Sequence, residues 1–99
     1  MNGLQLLKCI SEETRFSILE LLQKNDEMSV NDLATKLKKD QPLISHHLKA
    51  LKGCNFVKVR EDGKMSMYSI ANKDVAKLIA NIVNTSEKMV QCCDTANCC

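Results

Sequence analysis

This sequence of 99 residues is poor in aromatic side chains, glycine and proline. It has no tryptophan, one tyrosine, two phenylalanines, three glycines and one proline. Because aromatics are so few, leucine, isoleucine, valine and methionine have to fill the core. The sequence has no glycine-rich phosphate-binding loop, and no nucleophile stands at a recognisable spacing from a histidine and an orienting acid. We therefore expect a protein that is not an enzyme.

Long apolar runs and a strong net charge are also missing. No apolar stretch approaches the ~20 residues that span a bilayer, and no charged and then apolar segment resembles a secretion signal. We expect a cytoplasmic protein with no membrane contact. One domain is predicted over residues 1–90, followed by a cysteine-rich tail over residues 91–99. The net charge of +2 does not by itself indicate nucleic-acid binding, but lysines concentrate in the middle of the chain.

The middle of the chain, residues 30–51, has the pattern of two short helices joined by a tight turn over residues 38–40. Ser29 is placed to cap the first helix, with Asp32 three residues later in a capping-box arrangement. Asp40 is placed to cap the second helix, and Pro42 fits its first turn. Each helix has apolar residues at helical spacing on one face: Val30, Leu33, Ala34 and Leu37, then Ile44, Leu48 and Leu51.

The second helix of this pair has a polar outer face formed by Gln41, Ser45, His46 and Lys49. Gln, Ser and His side chains can hydrogen-bond to base edges in the DNA major groove, and lysines can neutralise phosphates. Further lysines surround the pair: Lys36, Lys38, Lys39 and Lys52. The spacing alone fits an ordinary helical hairpin with a solvated face equally well.

A predicted β-hairpin follows the helix pair. Apolar and polar residues alternate over residues 57–60 and 65–69, and Asp62-Gly63 between them is a strong turn signal. The hairpin carries a basic flank of Lys58, Arg60 and Lys64. A hairpin directly after a helix-turn-helix is a wing. The order therefore predicts a mainly α, winged helix-turn-helix fold with a two-stranded β wing, which favours DNA binding.

Three further helices are predicted around this unit. They cover residues 4–10, residues 12–24 after a cap at Ser11, and residues 73–90 after a cap at Asn72. Residues 28–30 are expected to pair briefly as a strand. The last helix has an apolar stripe of more than four turns, which favours a partner helix in a second copy of the chain. Packing against the first helix within one subunit is the alternative.

Four segments resemble the ArsR/SmtB family of winged-helix repressors that sense metals and metalloids. They are KCISEETRFSILELL (residues 8–22), MSVNDLATKL (28–37), DQPLISHHLKAL (40–51) and VREDGKMSMYSI (59–70). The resemblance implies a homodimer with terminal helices at its interface, bound to an imperfect palindrome in operator DNA until an effector releases it. It also implies that Gln41, Ser45 and His46 contact bases or adjacent backbone, and that Arg60 and Lys64 contact phosphate.

Two residues of the second motif helix need separate interpretations. Leu43 departs from the small or polar residue expected there, and it can contact a thymine methyl group. His47 lies at the edge of the buried stripe, which favours a partly buried structural histidine or a phosphate contact over a metal ligand.

At two positions where the family carries metal-binding residues, this sequence lacks them. Where the family can carry Cys-x-Cys before the turn, this chain has Ser29 and Asn31. Where the last helix can carry Asp-x-His, it has Asp74 and Ala76, and both histidines of the chain lie in the second motif helix. Zinc, cobalt or nickel sensing through the last helix is therefore not expected.

Sulfur is the remaining ligand type, since four of the six cysteines lie in the tail: Cys92, Cys93, Cys98 and Cys99. Thiolates bind thiophilic ions, and the short spacing keeps the entropy of closing the loop small. Three thiolates suit trivalent arsenic or antimony, and all four suit a tetrahedral ion. Arsenic-responsive family members carry a similar pattern, so we expect arsenite or antimonite as the effector. The alternatives are another soft ion (cadmium, lead, zinc or copper), a thiol-redox switch, or a tail without function.

Cys9 and Cys54 are expected to be buried packing residues. A site that joins Cys54 to the partner subunit's tail is the alternative. A further hypothesis, from another class, is a winged helix that binds proteins and has no operator.

Overall fold

The structure is a computed structural model, and it describes residues 1–89. Its elements follow in the order α1 (Gly3–Ile10), α2 (Glu13–Lys24), β1 (Met28–Ser29), α3 (Val30–Leu37), α4 (Gln41–Gly53), β2 (Val57–Asp62), β3 (Met65–Ile70) and α5 (Lys73–Met89). This order confirms the predicted winged helix-turn-helix. No helix of the described part combines enough length and apolarity to span a membrane. Val90 and the tail lie outside the described residues.

The start of α3 is a capping box, as predicted. The Ser29 hydroxyl accepts a hydrogen bond from the Asp32 N–H at 3.1 Å, and the Asp32 carboxylate accepts one from the Ser29 N–H at 3.2 Å. Such a cap stabilises a helix by about 1 kcal/mol. Helix α4 begins after Asp40 with Pro42 in its first turn, but the Asp40 side chain makes no capping hydrogen bond.

The prediction that Ser11 caps α2 is wrong by one residue. Ser11 instead ends α1, where its hydroxyl donates a hydrogen bond to the Lys8 carbonyl at 3.2 Å. Glu12 is the N-cap of α2, and its carboxylate accepts the Arg15 N–H at 2.8 Å. A carboxylate satisfies the free N–H groups of the first turn as a hydroxyl does, and its negative charge also suits the helix N-terminus.

The sheet has three strands, not the two predicted for the wing. Its order is β1-β3-β2, with Met28 of β1 paired to Tyr68 of β3. Strands β2 and β3 pair as far as Asp62 with Met65, which leaves a two-residue loop. Gly63 begins this loop at φ 63°, a conformation that glycine adopts without strain. Because β1 leads directly into α3, the third strand fixes the wing relative to the helix pair.

The core is aliphatic, as the lack of aromatics predicted. Fully buried side chains come from α2, α3, α4 and α5: Ile18, Leu19, Leu33, Ile44, Leu48, Leu51 and Ile79. Three of these are the predicted inner stripe of α4, so its opposite face is free to meet a ligand. Asn55, at φ 64°, follows the end of α4 in the left-handed conformation that commonly ends helices.

Helices α1 and α5 have apolar side chains on their outer surfaces. Leu4 is 61% exposed, Leu7 55% and Met89 53%. Leu7 also lines an open apolar groove with Phe16 and Ile82. Helix α5 packs on α2 and β3, yet within its described length Ile79 alone is fully buried. Packing within one subunit therefore leaves most of the α5 stripe half-buried rather than fully covered.

Candidate nucleic-acid interface

The outer face of α4 is the candidate interface. Gln41, His46 and Lys49 are exposed on it, and Ser45 is half-buried. Leu43, whose place in the interface the sequence left open, is 40% exposed on the same helix. The face therefore offers amide, hydroxyl, imidazole and apolar groups to a partner, while the opposite side of the helix is held in the core.

The side chain of Gln41 is held by Asn31, a residue that was not predicted to belong to the interface. Its Nε2 donates a hydrogen bond to Asn31 Oδ1 at 2.8 Å, which links the first turns of α3 and α4. Asn31 also lines a shallow groove with Lys64 and Ser66 of the wing. The N-terminal end of α4 and the wing loop therefore border the same small region. No spacing pattern in the sequence indicated this contact between the two helices.

The lysines predicted around the helix pair are exposed: Lys36, Lys38, Lys39, Lys49 and Lys52. Lys64 is exposed in the wing loop. Within residues 1–89 none of these lysines forms an ion pair with a carboxylate. Their charges are consequently available for DNA phosphates.

Arg60, predicted to contact phosphate, forms an ion pair with a carboxylate of its own chain. Its Nε and Nη2 donate hydrogen bonds to both carboxylate oxygens of Glu27 at 2.9 Å. The bond from Arg60 lowers the pKa of Glu27, and Glu27 raises the pKa of Arg60. The arrangement joins the wing to the residue that precedes β1, and it compensates the arginine charge. No local sequence pattern indicated this pair.

His47 lies beside His46 but has a structural environment. It is 8% exposed, its Nδ1 accepts a hydrogen bond from Arg15 Nε at 3.3 Å, and Glu12 Oε2 lies 3.7 Å away. Burial acts to raise the pKa of Glu12, but the backbone N–H groups of Arg15 and Thr14, together with His47, lower it below its usual value. These contacts confirm the interpretation of His47 as a partly buried structural histidine.

No group of three or more potential metal ligands comes together among the residues that the structure describes. The predicted ligands Cys92, Cys93, Cys98 and Cys99 lie outside them. Cys9 is buried at 6% exposure, as predicted, whereas Cys54 is half-buried and packs against the core.

Sequence relatives of the chain are transcriptional regulators. The protein-family model described as "Bacterial regulatory protein, arsR family" matches residues 12–59. An uncharacterized HTH-type transcriptional regulator of Methanocaldococcus jannaschii is 40% identical over 76% of this chain and 84% of its own length. An arsenical resistance operon repressor of Staphylococcus aureus is 34% identical over 88% and 85%. A cadmium resistance transcriptional regulatory protein CadC homolog of Staphylococcus aureus is 32% identical over 80% and 65%.

Solved structures with the same fold include two regulators of similar size. HlyU from Vibrio cholerae superposes with a TM-score of 0.76 at 30% identity, over 81% of this chain and 86% of the other. A homodimeric winged helix-turn-helix DNA-binding domain from Mycobacterium bovis, described as a possible ArsR-family transcriptional regulator, also gives 0.76, at 32% identity over 82% and 74%. The fold, the exposed α4 face and these relatives agree with one another. They show that the chain belongs to the ArsR family of bacterial regulatory proteins and is a DNA-binding transcriptional regulator rather than an enzyme.

Proposed function

We propose that this chain is a homodimeric repressor that binds duplex operator DNA and releases it when arsenite or antimonite binds to its tail. Residues 1–90 form the DNA-binding and dimerisation domain, and residues 91–99 form the sensor. One observation carries the DNA-binding part of the proposal. Helix α4 keeps an exposed polar face beside lysines that form no ion pair within residues 1–89, whereas His47, the residue after His46, is buried.

The proposed DNA contacts follow from the dimensions of α4. Its 13 residues give a length of about 20 Å, and the major groove is about 12 Å wide and admits such a helix. In this proposal Gln41, Ser45 and His46 contact base edges or the adjacent backbone. Lys49 and Lys64 contact phosphates on either side. Arg60 contacts phosphate only after its hydrogen bonds to Glu27 are broken.

The proposed dimer uses the exposed apolar surfaces of α1 and α5. The Mycobacterium bovis neighbour, described as homodimeric, supports a dimer, and the exposed Leu4, Leu7 and Met89 support its place on these two helices. In a two-fold dimer the two α4 helices can enter successive major grooves, which lie about 34 Å apart along one face of the duplex. The relative position of α1, α5 and α4 then determines whether both helices fit at once.

The proposed effector site consists of Cys92, Cys93, Cys98 and Cys99. Three of these thiolates can bind trivalent arsenic or antimony, which are thiophilic. The arsenical resistance repressor among the relatives supports this choice. The cadmium regulatory relative favours a second candidate, a soft metal ion held by four thiolates.

Fluorescence anisotropy on a duplex selected from a random library tests the proposal. We expect salt-sensitive binding by the reduced chain, and we expect arsenite to weaken it by about 5–150-fold, the usual range of allosteric coupling. The control is a variant with serine in place of the four tail cysteines. This variant should bind DNA equally well and ignore arsenite. A response that survives in the control would contradict the proposed sensor, and a response to cadmium alone would replace arsenite as the effector.

A further inference from the structure

Two side-chain amides at the starts of α3 and α4 form a pair on the surface of the protein. Asn31 is the second residue of α3 and Gln41 is the first residue of α4, and both are exposed. Gln41 Nε2 donates a hydrogen bond to Asn31 Oδ1 at 2.8 Å. Among residues 1–89 this is the only side-chain hydrogen bond of either amide. The Gln41 Oε1 and one Nε2 hydrogen are therefore open to a ligand.

The backbone on both sides of this pair is held in place. Asn31 lies inside the capping box of α3, where Ser29 and Asp32 exchange hydrogen bonds at 3.1 and 3.2 Å. Gln41 precedes Pro42, whose ring fixes the backbone in the first turn of α4. The two helices also pack on each other through fully buried side chains. Because both ends of the amide pair are fixed, the hydrogen bond restricts the rotamers that Gln41 can adopt.

The groups that Gln41 keeps open match the major-groove edge of adenine. An amide nitrogen carries two hydrogens and Asn31 uses one of them, so one N–H donor and the Oε1 acceptor remain. Adenine presents an N6 amino donor beside the N7 acceptor, whereas guanine presents two acceptors, O6 and N7. Turning the Gln41 amide over would bring Oε1 against Asn31 Oδ1, and two acceptors repel each other. The bond to Asn31 therefore holds the amide in one of its two orientations.

We propose that Asn31 is a positioning residue that makes Gln41 specific for adenine in each half-site of the operator. Gln41 Oε1 accepts a hydrogen bond from adenine N6, and the remaining Nε2 hydrogen donates to N7. This inference rests on the proposed binding of α4 in the major groove, where the N-terminal residues of a recognition helix contact base edges. It adds the base that is recognised and the residue that orients Gln41 towards it.

Two magnitudes set the size of the expected effects. A bidentate contact between an amide and adenine discriminates against another base by about 5–150-fold in one half-site. Without Asn31, the Gln41 side chain has to be immobilised when it binds adenine, which weakens that contact by about 2–13-fold. This loss applies only where adenine is bound. Substitution of Asn31 should therefore lower the discrimination between bases, beyond any general change in affinity.

The first experiment locates the adenine. It uses the full reduced chain without arsenite, fluorescence anisotropy and the duplex selected from a random library. Each adenine of the duplex is replaced in turn with 7-deazaadenine, which pairs normally but lacks the N7 acceptor. We expect the affinity to fall about fivefold at one adenine in each half-site, since one hydrogen bond is lost there. Gln41→Ala should remove the sensitivity at that adenine.

The second experiment tests Asn31 by the ratio of affinities for duplexes with A·T and with G·C at the position so found. Asn31→Ala should lower this ratio by about 2–13-fold. Asn31→Asp keeps an acceptor for Gln41 Nε2, so it should retain the ratio, although its negative charge weakens binding to both duplexes. The matched control is Thr35→Ala, an exposed position one turn further along α3, which should leave the ratio unchanged.

Each result bears on one part of the inference. An unchanged ratio in Asn31→Ala would overturn the positioning role, and loss of the ratio in Asn31→Asp would overturn the role of Asn31 as acceptor. DNA binding that is insensitive to 7-deazaadenine throughout, or still sensitive in Gln41→Ala, would overturn adenine recognition alone. The salt dependence and the arsenite response on the unmodified duplex test the proposed function separately. A chain that binds no DNA would overturn both.

Discussion

The adjacent histidines of α4 give a sharp test of the proposed interface, because they have opposite environments. His46 is exposed, whereas His47 is 8% exposed and accepts a hydrogen bond from Arg15. Replacing each with alanine should therefore separate DNA affinity from stability. We expect His46→Ala to weaken DNA binding and leave folding intact. His47→Ala should act chiefly on folding.

These environments determine the expected changes in DNA affinity and in the free energy of unfolding. A hydrogen bond to a base edge contributes about 1 kcal/mol, and a dimer makes it twice, so His46→Ala should weaken binding by about 2 kcal/mol, or roughly thirtyfold. An exposed substitution of this kind changes stability by no more than about 0.5 kcal/mol. His47→Ala removes buried packing and leaves the Arg15 Nε without its acceptor. We expect it to destabilise the fold by about 1–3 kcal/mol.

The assays are fluorescence anisotropy with the selected duplex and urea unfolding followed by circular dichroism. His46→Gln is a useful intermediate, because an amide can also hydrogen-bond to a base edge. It should retain more affinity than the alanine variant. A folded His46→Ala protein with unchanged DNA affinity would refute the interface. Equal destabilisation by the two alanine substitutions would refute the assigned environments.

Three further predictions concern charge. Lys49→Ala should reduce the slope of log affinity against log salt by about 1.8 per dimer, since two phosphate contacts are lost, whereas Lys77→Ala, on α5, should leave it unchanged. Glu27→Gln should free Arg60 and strengthen DNA binding in anisotropy titrations; unchanged affinity would mean that Arg60 does not contact phosphate. Glu12→Gln should lower the free energy of unfolding near neutral pH. Because the pKa of Glu12 is lowered in the fold, that difference should shrink as the pH falls from about 7 to about 3, and a difference independent of pH would contradict this origin.

Local patterns in the sequence were sufficient for most of the helix-turn-helix. The capping box of Ser29 and Asp32 and the turn at Gly63 both have the conformations predicted for them. Each depends on a few neighbouring residues, whose side-chain geometry determines the backbone locally. The one-residue error at Ser11 arose because a glutamate can also cap a helix, although hydroxyl and aspartate side chains are preferred there.

Contacts between distant segments could not be predicted in this way. The short strand expected over residues 28–30 is confirmed as β1, Met28–Ser29. Two residues are too few for a pattern that identifies a partner strand, so the pairing of β1 with β3 appeared only in the structure. The pairs of Arg60 with Glu27 and Gln41 with Asn31 join separate elements. Their formation depends on tertiary packing, which a single sequence does not specify by spacing.

Protection of guanine N7 from methylation tests most directly whether α4 binds in the major groove, because N7 is exposed only there. We expect two protected regions on the selected duplex, about one helical turn apart, that become reactive again when arsenite is added. Full N7 reactivity across a duplex to which the protein is shown to bind would contradict binding of α4 in the major groove.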